Sequence, residues 1–363
     1  MPTSAGGAHP ARTLAVLERG MASRLHVGAQ AYASLDGEVV ADLAVGEAGP
    51  GVVMTTETLV PWFSCTKVAS ALAMAQLWQD AAFDLDDGVA DFLPELRGPA
   101  TAVTVRHLLT HTAGLAPVAT FAEVASAGVR PGWAPGLRAA YDPRGGFLVL
   151  GELAQRWSGA PFDRLVRERL FGPLGMGDSW LAIDGGRHAA YGERLAVIHA
   201  TAPGRDRPAP RWERSSAATA GRCLPGSSGF GPVRELARLA ELLLGRGRLG
   251  GAQLLTPQTV EAVTARHRVG LRDETFGARL DWGLGVLVDS KHYGVEAHPY
   301  GYGPHASART VGHGGWQSSV VLADPDHGLA AAVFFNGMPG EPAHRRRTHE
   351  LLGALYEDLG LAG

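Results

Sequence analysis

Cysteine and lysine are the scarce residue types of this 363-residue chain. Its two cysteines, Cys65 and Cys223, fall short of a disulfide framework or a zinc ligand set. No disulfide-stapled scaffold and no metal centre is therefore expected. Lysine occurs only at Lys67 and Lys291, so 31 of the 33 basic residues are arginine. No uninterrupted apolar run reaches the length of a membrane span. Met1 to Pro10 has neither the basic start nor the apolar core of a secretory signal, and the expected compartment is the cytoplasm. A net charge of −3 supplies no electrostatic reason for a nucleic-acid or anionic membrane partner. What is present, 45% hydrophobic residues with a mean hydropathy near zero, describes a globular chain long enough for a full core.

Against that background the stretch Trp62-Phe63-Ser64-Cys65-Thr66-Lys67, followed by the apolar run Val68 to Trp78, carries the strongest chemical signal. Ser64 and Lys67 are three residues apart, which in a helix puts both side chains on one face. A serine hydroxyl becomes a nucleophile when a neutral amine takes its proton. Burial beside a helix N-terminus would depress the amine pKa, and arginine cannot substitute because its guanidinium stays charged. The same spacing also fits a surface serine and a snorkelling lysine on an ordinary amphipathic helix, so the motif needs partners. Cys65 does not share the Ser64 face and is read as packing.

Arg12 to Leu25 has helical periodicity. Val27 to Leu35 and Glu38 to Val45 read as strands joined by Asp36-Gly37, a hairpin signal. A helix from Thr104 to Leu109 is expected to end with Gly114 as its cap, and residues 116–140 to form loops over a cleft. Phe147 to Trp157, Phe162 to Phe171 and Val233 to Leu244 are helical, and Thr256-Pro257 starts another helix. Thr201 to Ser216 reads as a surface loop or lid. Leu284 to Val288, Ser307 to Gly312, Ser318 to Ala323 and Leu329 to Phe335 read as strands. A final helix covers Pro342 to Leu359, with Arg345, Arg346 and Arg347 as a solvated face.

This order predicts an α+β protein: an antiparallel sheet flanked by N- and C-terminal helices, with a mainly helical insertion. Residues 1–61 and 251–363 would build the sheet domain and 62–250 the helical one, with the active site at their junction.

Several short motifs occur in a telling order. They are Ser64-x-x-Lys67, Leu108-Leu109-Thr110-His111-Thr112-Ala113-Gly114-Leu115, Pro173-Leu174-Gly175-Met176, Leu255-Thr256-Pro257, Gly312-His313-Gly314-Gly315 and Ala323-Asp324-Pro325. Together they resemble the serine β-lactamase-like superfamily, in its branch of class C β-lactamases, family VIII carboxylesterases and penicillin-binding-protein-like transacylases. The likeness runs from about residue 12 to residue 336 and implies the β-lactamase/transpeptidase-like fold. By resemblance, Ser64 is the nucleophile, Lys67 the base and Tyr141 its partner. The backbone N–H groups of Ser64 and Trp316 form the oxyanion hole, and His313, Gly314, Gly315 and Trp316 bind substrate. His111 bonds loop backbone. The aromatic cluster Tyr293, Tyr300, Tyr302 and Trp316 either lines the acyl or leaving-group pocket or packs in loops.

Two departures bear on substrate. The family's Tyr-x-Asn becomes Tyr141-Asp142-Pro143, one residue further from Gly151, and proline offers no side-chain donor. His313 stands where β-lactamases carry a carboxylate-binding lysine, and histidine is mostly neutral near pH 7. Both suit an uncharged ester better than an anionic β-lactam. The expected enzyme forms an acyl-enzyme from a small ester or activated acyl donor and uses no cofactor. With water as acceptor it is a carboxylesterase; with an amine or alcohol it is a transacylase, as in secondary metabolism. A β-lactamase or D-peptidase, and a non-catalytic binder keeping the fold, are the alternatives.

Overall fold

In a computed structural model the described residues are 10–98, 100–201, 209–212 and 216–363. The first helix, Ala11–Ala22, turns Val16 and Leu17 inward. Strands β1 (Gly28–Leu35) and β2 (Glu38–Gly49) follow. Asp36 and Gly37 join them with φ of 50° and 85°, the left-handed pair that a two-residue hairpin of matching twist requires. Strand β3 (Val52–Val53) folds back onto β2, which is why β2 runs beyond the expected Val45.

The C-terminal third supplies β4 (Asp281–Trp282), β5 (Leu287–Val288), β6 (Val311–Gly314), β7 (Ser319–Asp324) and β8 (Leu329–Phe335). Strand β8 pairs antiparallel with β1, from Ala29 opposite Phe335 to Leu35 opposite Leu329. One eight-stranded antiparallel sheet results, ordered β4-β5-β6-β7-β8-β1-β2-β3, so the two ends of the chain share a sheet. Its central strands are covered on both faces. Along β8, Ala331, Val333 and Phe335 face the terminal helices with Leu17, Leu351 and Leu355. Ala330, Ala332 and Phe334 face the opposite core with Leu236, Leu239 and Leu243. Double-sided burial makes β8 read as one apolar run rather than an alternation. The helix Val233–Leu244 packs against β1, β7 and β8.

The helical part is built around Thr66–Gln79. Every residue from Thr66 to Leu77 is buried, as for a helix surrounded by others. Gly145–Ser158 packs beside it. No helix among the described residues is long and apolar enough to cross a membrane.

Several expectations shift. The helix Val105–Leu109 is capped by Thr104 and His107, but it is His111, at φ 55°, that turns left-handed to end it. The N–H groups of Thr112 and Ala113 both bond the His107 carbonyl there. Gly114 serves another need, because a Cβ on it would lie 2.0 Å from the Trp133 ring. The stretch 116–140 is not all loop, since Phe121–Ala127 is a helix capped by Thr120. Strand β6 starts four residues later than Ser307, whose N–H bonds the buried Asp324 carboxylate instead. At β5, Gly285, at φ 80°, breaks the expected strand Leu284 to Val288, leaving only Leu287–Val288. Of the expected lid, Ala209–Trp212 forms a strand paired with Ile198–Ala200; residues 202–208 and 213–215 lie outside the described residues.

The basic triplet is not a solvated face. Arg346 is exposed, but Arg347 is only 3% exposed. Its guanidinium donates to the carbonyls of Leu25, Gln317 and Gly337 and lies over the Phe335 ring. Burial pulls its pKa down to about 9, so it remains cationic at neutral pH. Carbonyls, the ring nitrogens of His344 and His26 and the Phe335 face hold this charge without a carboxylate, which a helical pattern cannot reveal. Arg347→Ala would remove a donor from three inward carbonyls and should cost about 3 kcal/mol of unfolding free energy. Arg346→Ala should stay within about 0.5 kcal/mol. Urea titration of both variants checks the contrast; equal losses would contradict it.

Candidate active site

Ser64 sits in a one-turn 3-10 helix, Phe63–Cys65, that runs directly into Thr66–Gln79. Trp62 anchors the entry: it is fully buried and donates from Nε1 to the Gly231 carbonyl at 3.0 Å. Phe63 holds a φ of 49°, a conformation that non-glycine residues adopt only when their surroundings impose it. The Thr66 hydroxyl donates to the Phe63 carbonyl at 2.6 Å and accepts from Gly229 N–H at 2.9 Å. The turn is thereby fixed on both sides. Ser64 is half-buried, and Lys67, one turn on, is fully buried.

Lys67 Nζ lies 3.4 Å from Ser64 Oγ and donates to the carbonyls of Pro143 at 3.0 Å and Gly226 at 2.9 Å. Among the described residues it has no carboxylate within ion-pair distance. Burial lowers its pKa to about 7, against a smaller upward pull from Asp142. A neutral amine has two N–H bonds and one lone pair. With both N–H groups committed to carbonyls, the remaining position faces the Ser64 hydroxyl. Gly226 permits this approach, since a Cβ there would come within 3.1 Å of Nζ.

The displaced tyrosine segment reaches the same point. Tyr141 donates its hydroxyl to Ser64 Oγ at 2.9 Å. Its ring stacks on Phe276, with centroids 4.9 Å apart, and on Trp282 at 5.9 Å. Burial raises the phenol pKa, so it stays protonated at neutral pH. Asp142 and Pro143 take jobs unlike those of the family's motif. The Asp142 carboxylate accepts from the N–H groups of Arg144, Gly145 and Gly146, capping the helix Gly145–Ser158. Pro143 contributes its carbonyl to Lys67. His111 accepts from Asp142 N–H through Nδ1 at 3.2 Å, the backbone role expected of it. Its proton must then reside on Nε2, and burial keeps the ring neutral.

His313 and Gly314 lie at the end of β6, with Gly315 and Trp316 in the turn beyond. His313 is buried and donates from Nδ1 to the Gly314 carbonyl at 2.7 Å, leaving Nε2 bare. Burial and, secondarily, Lys67 push its pKa down to about 3. It is a neutral hydrogen-bond acceptor. Gly315 donates to the Ser319 carbonyl, and a Cβ on it would strike Ser319 Oγ at 2.1 Å and the Trp62 carbonyl at 2.6 Å. Ser319 Oγ also donates to the Trp62 carbonyl, and Cys65 Sγ to the His313 carbonyl. The strand is thus sewn to the Ser64 turn. Cys65 is packing, its thiol pushed up to about 12 by burial.

Ser64, Tyr141, His313, Gly314, Gly315 and Trp316 all border one cavity of about 1980 Å³. Tyr300 and Tyr302 also line it. Tyr293 does not belong with them: its hydroxyl bonds the buried Asp281 carboxylate. Sequence reasoning passed over Gly226, although it stands in the turn-rich run Pro225-Gly226-Ser227-Ser228-Gly229. It also passed over Asp273, Thr275 and Phe276, which carry no pattern visible in one dimension. No cluster of three or more His, Cys, Asp or Glu that could hold a metal occurs among the described residues.

Comparison with known proteins agrees with this architecture. The Beta-lactamase family model matches residues 15–355. Penicillin-binding protein 4 of Amycolatopsis lactamdurans is 28% identical over 352 residues, covering 90% of this chain and 85% of that protein. Esterase EstB of Burkholderia gladioli is 28% identical over 380 residues, covering 91% and 92%. The crystal structure of a penicillin-binding protein homologue from Caulobacter crescentus superposes with a TM-score of 0.80 at 28% identity, covering 99% of this chain and 100% of that one. A family match over nearly the whole length, on a fold of the same kind, establishes that the chain belongs to the beta-lactamase family.

Proposed function

We propose that the protein is a serine acyl-transfer enzyme that takes a small ester or activated acyl donor and forms an acyl-enzyme on Ser64. The observation that carries this reading is the buried Lys67 amine. It is bonded to two carbonyls, has no carboxylate pair among the described residues, and sits one hydrogen bond from the serine. The neutral amine takes the Ser64 proton as Oγ attacks the ester carbonyl. The Tyr141 O–H, already aimed at Oγ, stabilises the developing alkoxide and passes a proton toward the leaving group. The oxyanion is assigned to the backbone N–H groups of Ser64 and Trp316, each such donor contributing roughly 3 kcal/mol. Collapse expels the alcohol carrying the proton that Lys67 took from Ser64, relayed by Tyr141, so that both groups are restored. An acceptor then attacks the acyl-enzyme, and Lys67 takes its proton and returns it to Ser64 Oγ as the acyl group departs.

The preference for an uncharged donor rests on the surroundings. His313 is a neutral acceptor where a cation would be needed to hold a carboxylate. Pro143 offers a carbonyl, already committed to Lys67, and no side-chain donor. EstB is an esterase by name, which favours the same class. The cavity, at about 1980 Å³, exceeds the roughly 300–1,000 Å³ that a small ligand fills. That room favours an amine or alcohol acceptor beside water, and so transacylation beside hydrolysis. The likeness to a penicillin-binding protein supports a second reading, a D-peptidase or β-lactamase. Hydrolysis of a chromogenic cephalosporin above trace rate would favour that one.

Incubation with p-nitrophenyl esters should give a burst and a covalent adduct on the Ser64 peptide by mass spectrometry. Ser64→Ala should abolish both, and an adduct unchanged in Ser64→Ala would remove the serine from the chemistry. Lys67→Ala should lower acylation by about 10³-fold or more.

The pH dependence has a definite sign. Lys67 acts in its deprotonated form, and its pKa is lowered from 10.5 to about 7. Acylation should therefore rise with pH through about 7 and level off above it. A profile of kcat/KM that climbs only near pH 10 would contradict a desolvated amine.

A further inference from the structure

Tyr141 belongs to neither a helix nor a strand, so no hydrogen-bond ladder fixes the direction of its hydroxyl. Yet each part of the residue is held by one short turn, 273–276, which begins 132 residues further along the chain. Asp273 Oδ1 accepts the Tyr141 N–H at 3.1 Å. The Thr275 hydroxyl donates to the Tyr141 carbonyl at 2.9 Å. The Phe276 ring stacks on the Tyr141 ring at 29° between planes. Glu274 N–H bonds the Ala139 carbonyl, extending the grip two residues upstream.

The turn is itself tied together by internal bonds. The same Asp273 oxygen accepts the N–H groups of Thr275 and Phe276, at 2.9 and 3.1 Å. Asp273 is fully buried, and its other oxygen lies 3.1 Å from Nη2 of Arg268, itself 2% exposed. Arg268 donates onward to the carbonyls of Leu280 and Thr110, the latter next to His111. A carboxylate buried in this way is costly unless paired and hydrogen-bonded, and here it is both. A plain loop anchor would need one such bond; this one fixes main chain on both sides of a single Cα and the ring as well.

We infer that the 273–276 turn, braced by the Arg268–Asp273 pair, is a clamp whose purpose is to aim the Tyr141 hydroxyl at Ser64. Asp273, Thr275 and Phe276 are accordingly positioning residues that act on the acylation step through the tyrosine. The inference rests on the role proposed for Tyr141. It goes beyond that role by assigning a function to a segment distant in sequence. Misplacing a reacting group by about 1 Å can cost about 10²-fold in rate, so loss of one of the clamp's bonds should be measurable without unfolding the protein.

A double-mutant cycle tests this. Thr275→Val removes the hydroxyl at an exposed position with little change in shape. It should lower the burst-phase acylation rate about tenfold, while thermal unfolding stays close to the parent. In a Tyr141→Phe background the same substitution should change the residual rate by less than about twofold, because there is no hydroxyl left to aim. Asp273→Asn, which keeps the acceptor oxygen but unpairs Arg268, should show the same confinement to the tyrosine background. Equal losses in both backgrounds, or no loss in the parent, overturn the clamp even while an adduct still forms on Ser64. A Tyr141→Phe variant that acylates at the parent rate overturns the tyrosine's role and the clamp with it.

Discussion

A lysine amine taken out of water is the constraint from which the rest of this site follows. Desolvation disfavours the ammonium and brings the Lys67 pKa down to about 7. An ordinary buried lysine would recover that cost from a carboxylate, which would also keep it charged. Here the partners are two carbonyl oxygens, of Pro143 and Gly226. Carbonyls satisfy N–H groups in either protonation state, so they orient the amine without holding its proton. Ser64 then occupies the one direction left over.

Other titratable groups nearby are tuned to the same end. His111 and His313 are kept neutral by burial, each with its tautomer set by one backbone bond. Tyr141 is kept protonated. The Asp142 carboxylate is engaged by three N–H groups at the start of the helix Gly145–Ser158. Tyr141, which bonds Ser64, and His313 thus meet the cavity as neutral hydrogen-bonding groups, while charged residues, Glu123, Arg130, Arg144, Arg222, Glu341 and Arg345, line it as well. The elements meeting there come from distant parts of the chain: residue 64 from the head of the central helix, 141–143 from an irregular segment, 226 from a turn, and 313–316 from the end of a sheet strand. The bonds of Ser319 and Cys65 between the Trp62–Cys65 turn and the strand hold two of these elements in register.

Much of this was legible in one dimension, for identifiable reasons. The helix Val233–Leu244 and the strand Leu329–Phe335 have the bounds that the sequence indicates, because the helix carries an unbroken amphipathic period and the strand is a short continuous apolar run closed by a turn signal. The Asp36-Gly37 hairpin was legible because few residues tolerate two successive left-handed conformations. Failures came where a distant segment overrode a local signal. Gly114 looked like a helix cap, but a tryptophan nineteen residues on needed its missing side chain, and His111 took the strained turn. Arg347 looked like one of three surface arginines, but helix geometry turned it inward onto carbonyls from residues 25, 317 and 337. For Tyr293 the sequence leaves pocket lining and loop packing both open, and a buried aspartate twelve residues back, which accepts from its hydroxyl, decides for packing.

By itself the sequence determined the chemistry available and its local spacing. A serine and one of two lysines lie three residues apart at the head of an apolar helix, which settles their shared face through helix period alone. Tertiary structure alone decided that the amine is buried, which carbonyls receive its N–H groups, and whether a tyrosine seventy-seven residues away reaches the serine oxygen. Those are matters of solvent exclusion and of distances across the fold, and both arise only when segments far apart in the chain close around the same few cubic ångströms.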